Sequence, residues 1–344
     1  MPTTYAIPDG RTVMAATTYT GNADFNSITN SGGFQPDFVW VKERSEVRDN
    51  ILVDSVRGVS KALYSNLTSA EGSTSNFTEF LSNGFKVGYS GVDADKSNKL
   101  NQTYVGWQWK AGGTAVSNTA GSITSQVSAN TTAGFSVVTY TGTGANATVG
   151  HGLGVAPNLI IVRNRTASAQ NWQVYSSVTG ATKRLFLDLT DAAQTVSTVW
   201  NNTAPTSTVF SIGTVTDVNG STNNFVAYCF AAVAGYSAFG SYTGNNSADG
   251  PFVYLGFRPR FVMFKDATTA GGYWEIHDTS RSTYNATTAR LWPNVSSAEA
   301  TGADIDFLSN GFKVRTTDGT VNNSGSTVIY MAFAENPFKY ANAR

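Results

Sequence analysis

One pattern occurs three times along the chain, and this repetition constrains the fold more than any other feature. Tyr-Thr-Gly stands at residues 19–21, 140–142 and 242–244, so consecutive copies are separated by 121 and 102 residues. A proline precedes an apolar run with the same two separations, at Pro36, Pro157 and Pro259. Self-similarity of this kind indicates a repeated structural unit.

Further landmarks follow in the same order within each copy. The apolar runs end on a cation, at Lys42, Arg163 and Lys265. ALYSN, RLFLD and RLWPN come next, and TYVGWQW, NFVAYCF and TVIYMAF come last. Each copy contains short runs of β-branched and aromatic residues between Gly, Asn and Pro, and none has a sustained helical period. The sequence predicts an all-β fold of three tandem antiparallel β-sandwiches, jelly-roll or lectin-like, each of about 100–120 residues.

The landmarks also predict the boundaries of these units. We use the names repeat 1, repeat 2 and repeat 3 for the three predicted sandwiches. The predicted organisation is an N-terminal arm over 1–16, repeat 1 over 17–113, a linker over 114–133, repeat 2 over 134–235, repeat 3 over 236–337 and a C-terminal tail over 338–344.

The octamer FLSNGFKV occurs at 80–87 and again at 307–314. Asn-Gly between two apolar-rich runs predicts a hairpin with a type I′ turn, in which both central residues have positive φ. Repeat 2 has TVFSIG at the equivalent place. Repeats 1 and 3 are therefore the more similar pair, and repeat 2 has diverged.

The last predicted strand of each repeat has one face that is large and apolar in all three copies. Such a face is predicted to be a core face. Its residues are Val105, Trp107 and Trp109, then Val226, Tyr228 and Phe230, then Ile329, Met331 and Phe333. Trp107 and Trp109 are thus expected to be core residues and not a sugar-stacking platform. Cys229 lies on the opposite face and is expected to be a packing residue.

Composition excludes several classes of function. Lys+Arg and Asp+Glu are balanced at 23 each, and only 13% of residues are charged. Binding to nucleic acid or to an anionic membrane needs clustered positive charge, so neither is expected. The apolar, uncharged stretch 225–240 is too short and too interrupted to span a bilayer. The N-terminus has no signal-peptide pattern. A single cysteine rules out an internal disulfide framework.

Motifs for cofactors and metals are incomplete. GTGANA at 142–147 matches a dinucleotide fingerprint, but a glycine-rich stretch ending in proline follows where a helix is needed. DADKSN at 93–98 begins like a calcium loop, but Asn98 stands where that loop has glycine and Tyr104 where it has glutamate. His151 and His277 are in different repeats, without a second ligand at metal-binding spacing. We expect no cofactor and no metal site.

A shared loss of charge is the most informative pattern. Repeat 1 has Asp54, Arg57 and Glu71, and repeat 3 has Asp278, Arg281 and Glu299. Repeat 2 has Ser176, Thr179 and Ala192-Ala193 at these places. Charges that disappear together are expected to interact, because one partner left alone costs more than losing both. Two interpretations stay open: a salt-bridge cluster that holds a loop, or a ligand-binding site present in repeats 1 and 3.

Two further pairs are candidates for sugar chemistry. Tyr273 and Trp274 follow a Thr/Gly-rich tract and could stack on a sugar ring, or pack at a strand end. Asp304 and Asp306 are two residues apart on one predicted strand, which places both on one face. They are the candidate carboxylate pair for a glycosidase, and the alternative is a pair of solvent-facing strand residues.

With the repeats aligned, the sequence resembles a family of virion structural proteins from tailed bacteriophages, especially marine ones. The resemblance spans nearly the whole chain. It rests on IPDGRTVMAATTYTG at 7–21, GFQPDFVWVK at 33–42, YVGWQWKAGG at 104–113, VVTYTGTGANATVGHGLGVAP at 137–157, VAYCF at 226–230, FGSYTGN at 239–245, DGPFVYLGFRP at 249–259 and IYMAFAENPFKYANAR at 329–344. It implies a virion location and a role in the tail or on the particle surface. The family has no established catalytic residues to transfer.

The resulting expectation is a non-enzymatic, tail-associated structural protein, a fibre, adaptor or tip, that takes part in host-surface attachment. Weak sites on the sandwich loops, multiplied by repeats and by a homo-oligomer, would act through avidity. The expected partners are other virion proteins of tail or capsid and a host-surface glycan. Since about 16 residues precede repeat 1, a compact module is expected in preference to a long fibre. The alternatives are a capsid decoration or head-fibre protein and a glycan-degrading tail enzyme.

Overall fold

The structure, a computed structural model, describes residues 5–90 and 94–337. Within these residues the chain forms strands β1 to β27, three α-helical turns of four residues each and a short 3₁₀ turn. All ladders between the strands are antiparallel. The predicted all-β, antiparallel class is confirmed.

Repeat 1 and the segment before it contain η1 and β1 to β9. Their bounds are η1 Gly10–Thr12, β1 Met14–Thr20, β2 Asn26–Thr29, β3 Phe38–Glu43, β4 Ile51–Asp54, β5 Lys61–Tyr64, β6 Gly72–Ser73, β7 Phe77–Leu81, β8 Gly84–Val87, α1 Ala94–Ser97 and β9 Thr103–Trp109.

The next part of the chain contains β10 to β19. Their bounds are β10 Val116–Asn118, β11 Ser125–Asn130, β12 Phe135–Thr141, β13 Ala147–Gly150, β14 Leu159–Asn164, β15 Gln173–Ser176, β16 Lys183–Phe186, β17 Gln194–Thr195, β18 Val209–Ile212, α2 Thr216–Asn219 and β19 Asn224–Phe230. Strands β10 and β11 lie in the segment 114–133, which was predicted to be a linker, and they extend the sheet that contains β12.

Repeat 3 contains β20 to β27. Their bounds are β20 Ser237–Thr243, β21 Phe252–Tyr254, β22 Phe257–Asp266, β23 Glu275–Asp278, β24 Thr287–Arg290, β25 Ala300–Leu308, β26 Gly311–Val314, α3 Gly319–Asn322 and β27 Thr327–Pro337. Residues 1–4 of the predicted arm and the predicted tail, 338–344, lie outside the described residues.

The same strand order recurs in each repeat. The larger sheets have the orders β1-β9-β3-β4-β5-β6, β10-β11-β12-β19-β14-β15-β16-β17 and β20-β27-β22-β23. The smaller sheets have the orders β2-β8-β7, β13-β18 and β21-β26-β25-β24. We call the larger sheet of each repeat its inner sheet and the smaller one its outer sheet. In every inner sheet the last strand of the repeat lies between the first strand and the strand that follows the repeated proline or, in repeat 3, contains it.

The repeated octamer forms a two-residue hairpin in both copies, but its predicted turn type is wrong. Leu81 pairs with Gly84, so Ser82 and Asn83 form the loop, and Leu308 pairs with Gly311 in the same way. Neither Asn83 nor Asn310 has a positive φ. The glycine serves close approach of the neighbouring strand: a Cβ on Gly84 would lie 1.9 Å from the Ile28 carbonyl oxygen.

The face of the inner sheets that the sequence predicted to be core is buried. Trp107, Trp109, Tyr228, Phe230 and Phe333 are each no more than 1% exposed, and Met331 is 3% exposed. These side chains belong to one apolar cluster drawn from all three repeats, which we call the shared core. The prediction that the two tryptophans are core residues is confirmed, and their core lies between the repeats.

Trp109 makes ring contacts with all three repeats at the shared core. Its ring centroid lies 5.3 Å from that of Phe38 in its own repeat and 6.2 Å from that of Phe230 in repeat 2. In repeat 3 the centroids of Phe261 and Phe333 are 5.6 and 5.9 Å away. The inner sheets are therefore packed against one another through their large apolar faces.

The opposite face of each inner sheet packs on the outer sheet of the same repeat. In repeat 1, Tyr104 joins a separate apolar cluster with Phe85 of the outer sheet. In repeat 2, Cys229 is fully buried in a cluster with Phe210. Burial raises the pKa of the Cys229 thiol, which suits the expected packing role.

Candidate functional site

The charged residues singled out in repeat 1 form a buried cluster. Arg57 Nε lies 2.5 Å from Asp54 Oδ2, and Arg57 Nη1 lies 3.0 Å from Glu71 Oε2. The side chains of Arg57 and Asp54 have no solvent exposure. The structure thus brings the three predicted residues together inside the protein and not at a surface.

This cluster also joins repeat 1 to repeat 2. Arg57 Nη2 donates to the Tyr228 hydroxyl at 3.1 Å, and that hydroxyl donates to Asp54 Oδ2 at 2.9 Å. Arg165 Nε and Nη2 donate to the two oxygens of Glu71 at 2.8 and 2.9 Å. We call this contact junction 1–2.

The equivalent residues of repeat 3 join it to repeat 1, at junction 3–1. Arg281 binds Asp278 at 2.6 Å and Glu299 at 3.1 Å. Trp107 Nε1 of repeat 1 donates to Asp278 Oδ2 at 3.0 Å, and Arg44 forms a two-bond pair with Glu299 at 2.9 and 2.7 Å. Burial alone would raise the pKa of Asp278, but Arg281 and these hydrogen bonds lower it.

Junction 2–3 has the same backbone geometry without the charges. Ala193 N donates to Ala267 O at 2.9 Å, where Glu71 N donates to Arg165 O and Glu299 N to Arg44 O at 2.8 Å. The sequence comparison identified three charges that repeat 2 has lost. The structure shows a fourth loss at this junction, because Ala267 of repeat 3 stands where repeats 1 and 2 have Arg44 and Arg165.

A fifth change at junction 2–3 explains why the charges are lost together. Met331 stands where Trp107 and Tyr228 supply a donor, so an aspartate in place of Ser176 would have no cross-repeat hydrogen bond. An unpaired buried carboxylate is costly, whereas a wholly apolar contact is not. The shared loss therefore follows from packing between repeats.

The repeated cations at the ends of β3, β14 and β22 act at the same junctions. Lys42 Nζ donates to Ser296 O at 3.2 Å, and Lys265 Nζ donates to Thr190 O at 3.1 Å. Arg163 Nη2 donates to Ser69 O. Each buried cation thus reaches a carbonyl of a different neighbouring repeat. Burial lowers the pKa of Lys42 and of Lys265 to about 8.

Trp274 is a junction residue and not an exposed sugar platform. It is 2% exposed, and its indole Nε1 donates to Phe186 O of repeat 2 at 2.7 Å. Trp172 makes the equivalent bond to Tyr64 O of repeat 1 at 2.9 Å. Tyr273 remains 40% exposed, with its ring centroid 6.1 Å from that of Trp292.

Trp274, Trp172 and Asn50 are equivalent positions of the three repeats, and at each of them a polar side chain accepts a hydrogen bond from the backbone N–H. Asn294 accepts from Trp274 N and Asp188 from Trp172 N, each at 3.0 Å, and Asn66 accepts from Asn50 N at 3.0 Å. Two repeats use asparagine and repeat 2 uses aspartate. Asp188 is 7% exposed and its Oδ2 has no hydrogen bond, so burial raises its pKa to about 7.

The structure also shows where the remaining candidates from the sequence lie. GTGANA lies in the turn between β12 and β13. Asp93 of the calcium-like loop lies outside the described residues, and 94–97 form α1. Asp304 and Asp306 alternate with buried residues on β25, as expected for one outward face, and Arg315 lies 3.6 Å from Asp306. Within 5–90 and 94–337, no group of three or more metal-ligating side chains is found.

An aromatic-edged cleft at one end of repeat 1 is the candidate ligand site. Its volume is about 240 Å³, and it is lined by Ala23, Asp24, Phe25, Ser75, Thr78, Gly88, Tyr89 and Ser90. Phe25 is 65% exposed and Tyr89 is 41% exposed. We call this site the aromatic cleft. Sequence reasoning missed it, because neither aromatic residue has a counterpart in a repeated landmark.

The loop that carries Phe25 is held by a buried asparagine. Asn98 Nδ2 donates to Asp24 O at 2.5 Å and to Asn22 Oδ1 at 3.0 Å. Asn22 Nδ2 in turn donates to Phe25 O at 3.2 Å. Asn219 and Asn322 hold the equivalent loops of repeats 2 and 3 through their own side-chain bonds. The base of the cleft is thereby fixed before any ligand arrives.

The rings of the cleft are also positioned. The Phe25 ring packs beside Gly88, where a Cβ would lie at an ordinary contact distance of 3.5 Å from it. Lys86 Nζ lies 4.8 Å from the centroid of the same ring. Tyr89 OH donates to Asp95 Oδ1 at 3.0 Å, and Ser90 Oγ donates to Ser75 Oγ at 2.8 Å. The cleft thus offers two exposed ring surfaces with hydroxyl groups between them.

A larger cavity of about 850 Å³ adjoins the segment 110–115. Its buried carboxylate, Asp37, accepts from Ser55 Oγ at 2.8 Å and from the Ala111 N–H at 2.7 Å. The aromatic ring that lines it, Phe34, is only 3% exposed. The carboxylate and the aromatic ring of this cavity are therefore used in packing.

The fold and junctions define an all-β protein whose three similar parts are packed around one core. A family model described as a domain of unknown function (DUF7483) matches residues 9–337, and the chain belongs to this family. No curated protein and no solved structure matches the chain. None of the helices in the described residues has the length and apolarity needed to cross a bilayer.

Arg57→Ala tests the structural role of junction 1–2. The change leaves Asp54 buried without its cation, so we expect a loss of about 3–5 kcal/mol in the free energy of unfolding. Urea denaturation followed by circular dichroism measures it. Arg11→Ala is the control, because the Arg11–Asp9 pair is partly exposed and its loss should cost about 0–1 kcal/mol. Equal, small effects of the two changes would contradict the assignment.

Asp188→Asn tests the one carboxylate among the three equivalent backbone acceptors. Its folded pKa of about 7 lies above the ordinary 3.8, so the folded state holds the proton longer and stability falls as pH rises from 4 to 7. Asparagine should remove this dependence and stabilise the protein at pH 8 by on the order of 3 kcal/mol, with little change at pH 4.

Chemical denaturation of the two proteins at several pH values measures this difference. Asp191→Asn, which removes a partly exposed carboxylate nearby and keeps Asp188, is the matched control and should retain the fall in stability between pH 4 and 7. A profile for Asp188→Asn that runs parallel to that of the unmodified protein would refute the assignment.

Proposed function

We propose that this chain is a non-enzymatic structural protein of a bacteriophage particle, tail-associated as a fibre, adaptor or tip, that binds sugar residues of the host surface. The observation that carries the proposal is the aromatic cleft, where Phe25 and Tyr89 present exposed rings over hydroxyl groups. The other candidate residues for sugar stacking or charge recognition are largely taken up by the junctions. The resemblance of the whole chain to phage virion proteins supports the particle location.

The cleft suits a weak interaction with a neutral sugar. Aromatic rings offer large, rigid apolar surfaces at low entropic cost, and sugar rings carry apolar faces that can lie on them. The hydroxyl oxygens of Ser75, Thr78 and Ser90 can accept hydrogen bonds from a sugar, since each of these hydroxyls already donates within the protein. Its volume of about 240 Å³ fits a single sugar residue in preference to a long segment.

One weak site becomes useful through multiplicity. A homo-oligomer within a particle presents several clefts at once, and binding to a repetitive glycan then gains from effective concentration. Fixed geometry helps, because a rigid cleft loses little entropy on binding. The partners in this proposal are other virion proteins, which hold the chain on the particle, and a host-surface glycan.

Phe25→Ala and Tyr89→Ala test the cleft. Each change removes one exposed ring, so we expect at least tenfold weaker binding of purified protein to host cells and to the glycans it selects on an array. Tyr284→Ala, at a 78% exposed tyrosine of repeat 3, is the control and should retain binding. All three variants should keep the melting temperature within about 2 °C, because the rings are exposed.

The outcome that contradicts attachment is unchanged adsorption in both cleft variants, or no adsorption by the unmodified protein. Immunogold labelling of intact particles tests the location separately. Label on the tail supports the proposal, and label spread over the head makes the chain a decoration protein.

A further inference from the structure

A third cavity lies where repeat 3 closes against repeat 1. Its volume is about 400 Å³, within the range of small-molecule sites. Repeat 1 contributes Thr17, Thr18, Thr29, Asn30 and Ser31, and repeat 3 contributes Arg260, Thr279, Ser280 and Thr283. The lining is unusual because it combines one cation with many hydroxyl groups. We call it the Arg260 cavity.

Arg260 is buried, and within the described residues no carboxylate pairs with it. It is 7% exposed, and its Nη2 donates to Ala16 O at 3.2 Å and to Ser31 Oγ at 3.1 Å. Within the described part of the chain, its Nε is buried with no acceptor. A desolvated guanidinium held by two neutral oxygens is an unfavourable arrangement on its own.

The carboxylates near Arg260 already bind other arginines. Asp9 pairs with Arg11 at 2.8 Å, and Asp278 pairs with Arg281 at 2.6 Å. Glu335 pairs with Arg258. These three acids act on Arg260 only at longer range, and burial lowers the pKa of Arg260 in spite of them. Each nearby carboxylate therefore already has an arginine partner, and Arg260 is the additional cation among these charges.

The equivalent positions in the other repeats make different contacts. Asp37 of repeat 1 accepts from Ala111 N at 2.7 Å, and Asn158 of repeat 2 accepts from Ala232 N at 2.8 Å. Both hold the segment that leaves the last strand of the repeat. Arg260 cannot accept a hydrogen bond, so repeat 3 has given up this structural role and gained a buried positive charge.

Four hydroxyl groups of the cavity are free for a ligand. The side chains of Thr18, Thr29, Thr279 and Thr283 make no hydrogen bond to other residues in the described ranges. Thr18, Thr29 and Thr283 are also exposed to solvent. A ligand with one anionic group and several hydroxyls would match this set of donors and acceptors.

We propose that the Arg260 cavity binds a sugar residue that carries a carboxylate. The carboxylate would lie against the guanidinium, which can donate two parallel charge-assisted hydrogen bonds, and the sugar hydroxyls would bond to the threonines. This site is separate from the aromatic cleft, and it holds whether or not the aromatic cleft binds host sugars.

Titration calorimetry on the purified full chain tests the proposal, with sodium glucuronate as probe at constant ionic strength. We expect saturable binding, at least tenfold weaker binding of glucose, and at least tenfold weaker binding of glucuronate to Arg260→Gln. Arg184→Gln in repeat 2, which does not line the cavity, should bind as the unmodified chain does.

Because Arg260 also contacts repeat 1, its loss could disturb folding. Thr18→Val and Thr283→Val avoid this difficulty, since both hydroxyls are free and exposed. We expect each to weaken glucuronate binding at least threefold with an unchanged melting temperature.

The proposal would be overturned by no saturable glucuronate binding, by equal binding of glucose, or by threonine variants that bind as well as the unmodified chain. Equal binding of inorganic sulfate or phosphate would also overturn it, because the cavity would then select an anion without its sugar.

Discussion

The rest of this structure depends on the packing of three inner sheets against one another through large apolar faces. Trp109 contacts aromatic rings of all three repeats, and the faces that meet there are the ones repeated in the sequence. Burying such rings is the largest favourable contribution available to a chain with no disulfide framework. Each repeat also has a second apolar face, which its own outer sheet covers. An inner sheet is therefore buried on both sides.

Once the faces meet, the polar groups at the rims of the shared core need partners. These partners lie across a junction. They bind the cations of β3, β14 and β22, the tryptophan N–H groups and the loop backbones. Because repeat 1 contacts repeat 2, repeat 2 contacts repeat 3 and repeat 3 contacts repeat 1, the arrangement is closed. Junctions 1–2 and 3–1 use buried ion pairs, while junction 2–3 uses alanine and methionine. Both solutions avoid leaving one member of the Asp–Arg–Glu set buried without its partners, which would be costly.

Much of the fold could be predicted from the sequence, because repetition shows which features are constrained. The strands, the antiparallel class and the buried face with Trp107 and Trp109 all follow from aligned landmarks. The grouping of Asp54, Arg57 and Glu71 follows from their joint loss in repeat 2. Alternation along a strand shows that a face is buried, but it does not show which surface covers it. The shared core was therefore beyond sequence reasoning.

The turn of the hairpin and the candidate sites were missed for different physical reasons. Asn-Gly predicts a turn by local preference, but here the glycine is required by the close backbone of Ile28. The aromatic cleft depends on Phe25 and Tyr89. These residues are far apart in the sequence and belong to no shared motif, and only the folded chain brings them together. Arg260 is informative only because its repeat equivalents, Asp37 and Asn158, have structural bonds that it cannot make.

The two proposed binding sites both lie on surfaces that the junctions do not use. The aromatic cleft lies on repeat 1, and the Arg260 cavity needs repeats 1 and 3 together. A rigid, closed arrangement would keep both sites in fixed relation on every copy of the chain. That is the property a multivalent attachment protein requires.

Native-state hydrogen exchange tests the central claim, that the three repeats form one cooperative unit around the shared core. The account predicts that the slowest amides of β9, β19 and β27 share one opening free energy, equal to the global free energy of unfolding. Separate opening free energies for the three strands, with one repeat exchanging while the others stay protected, would contradict it.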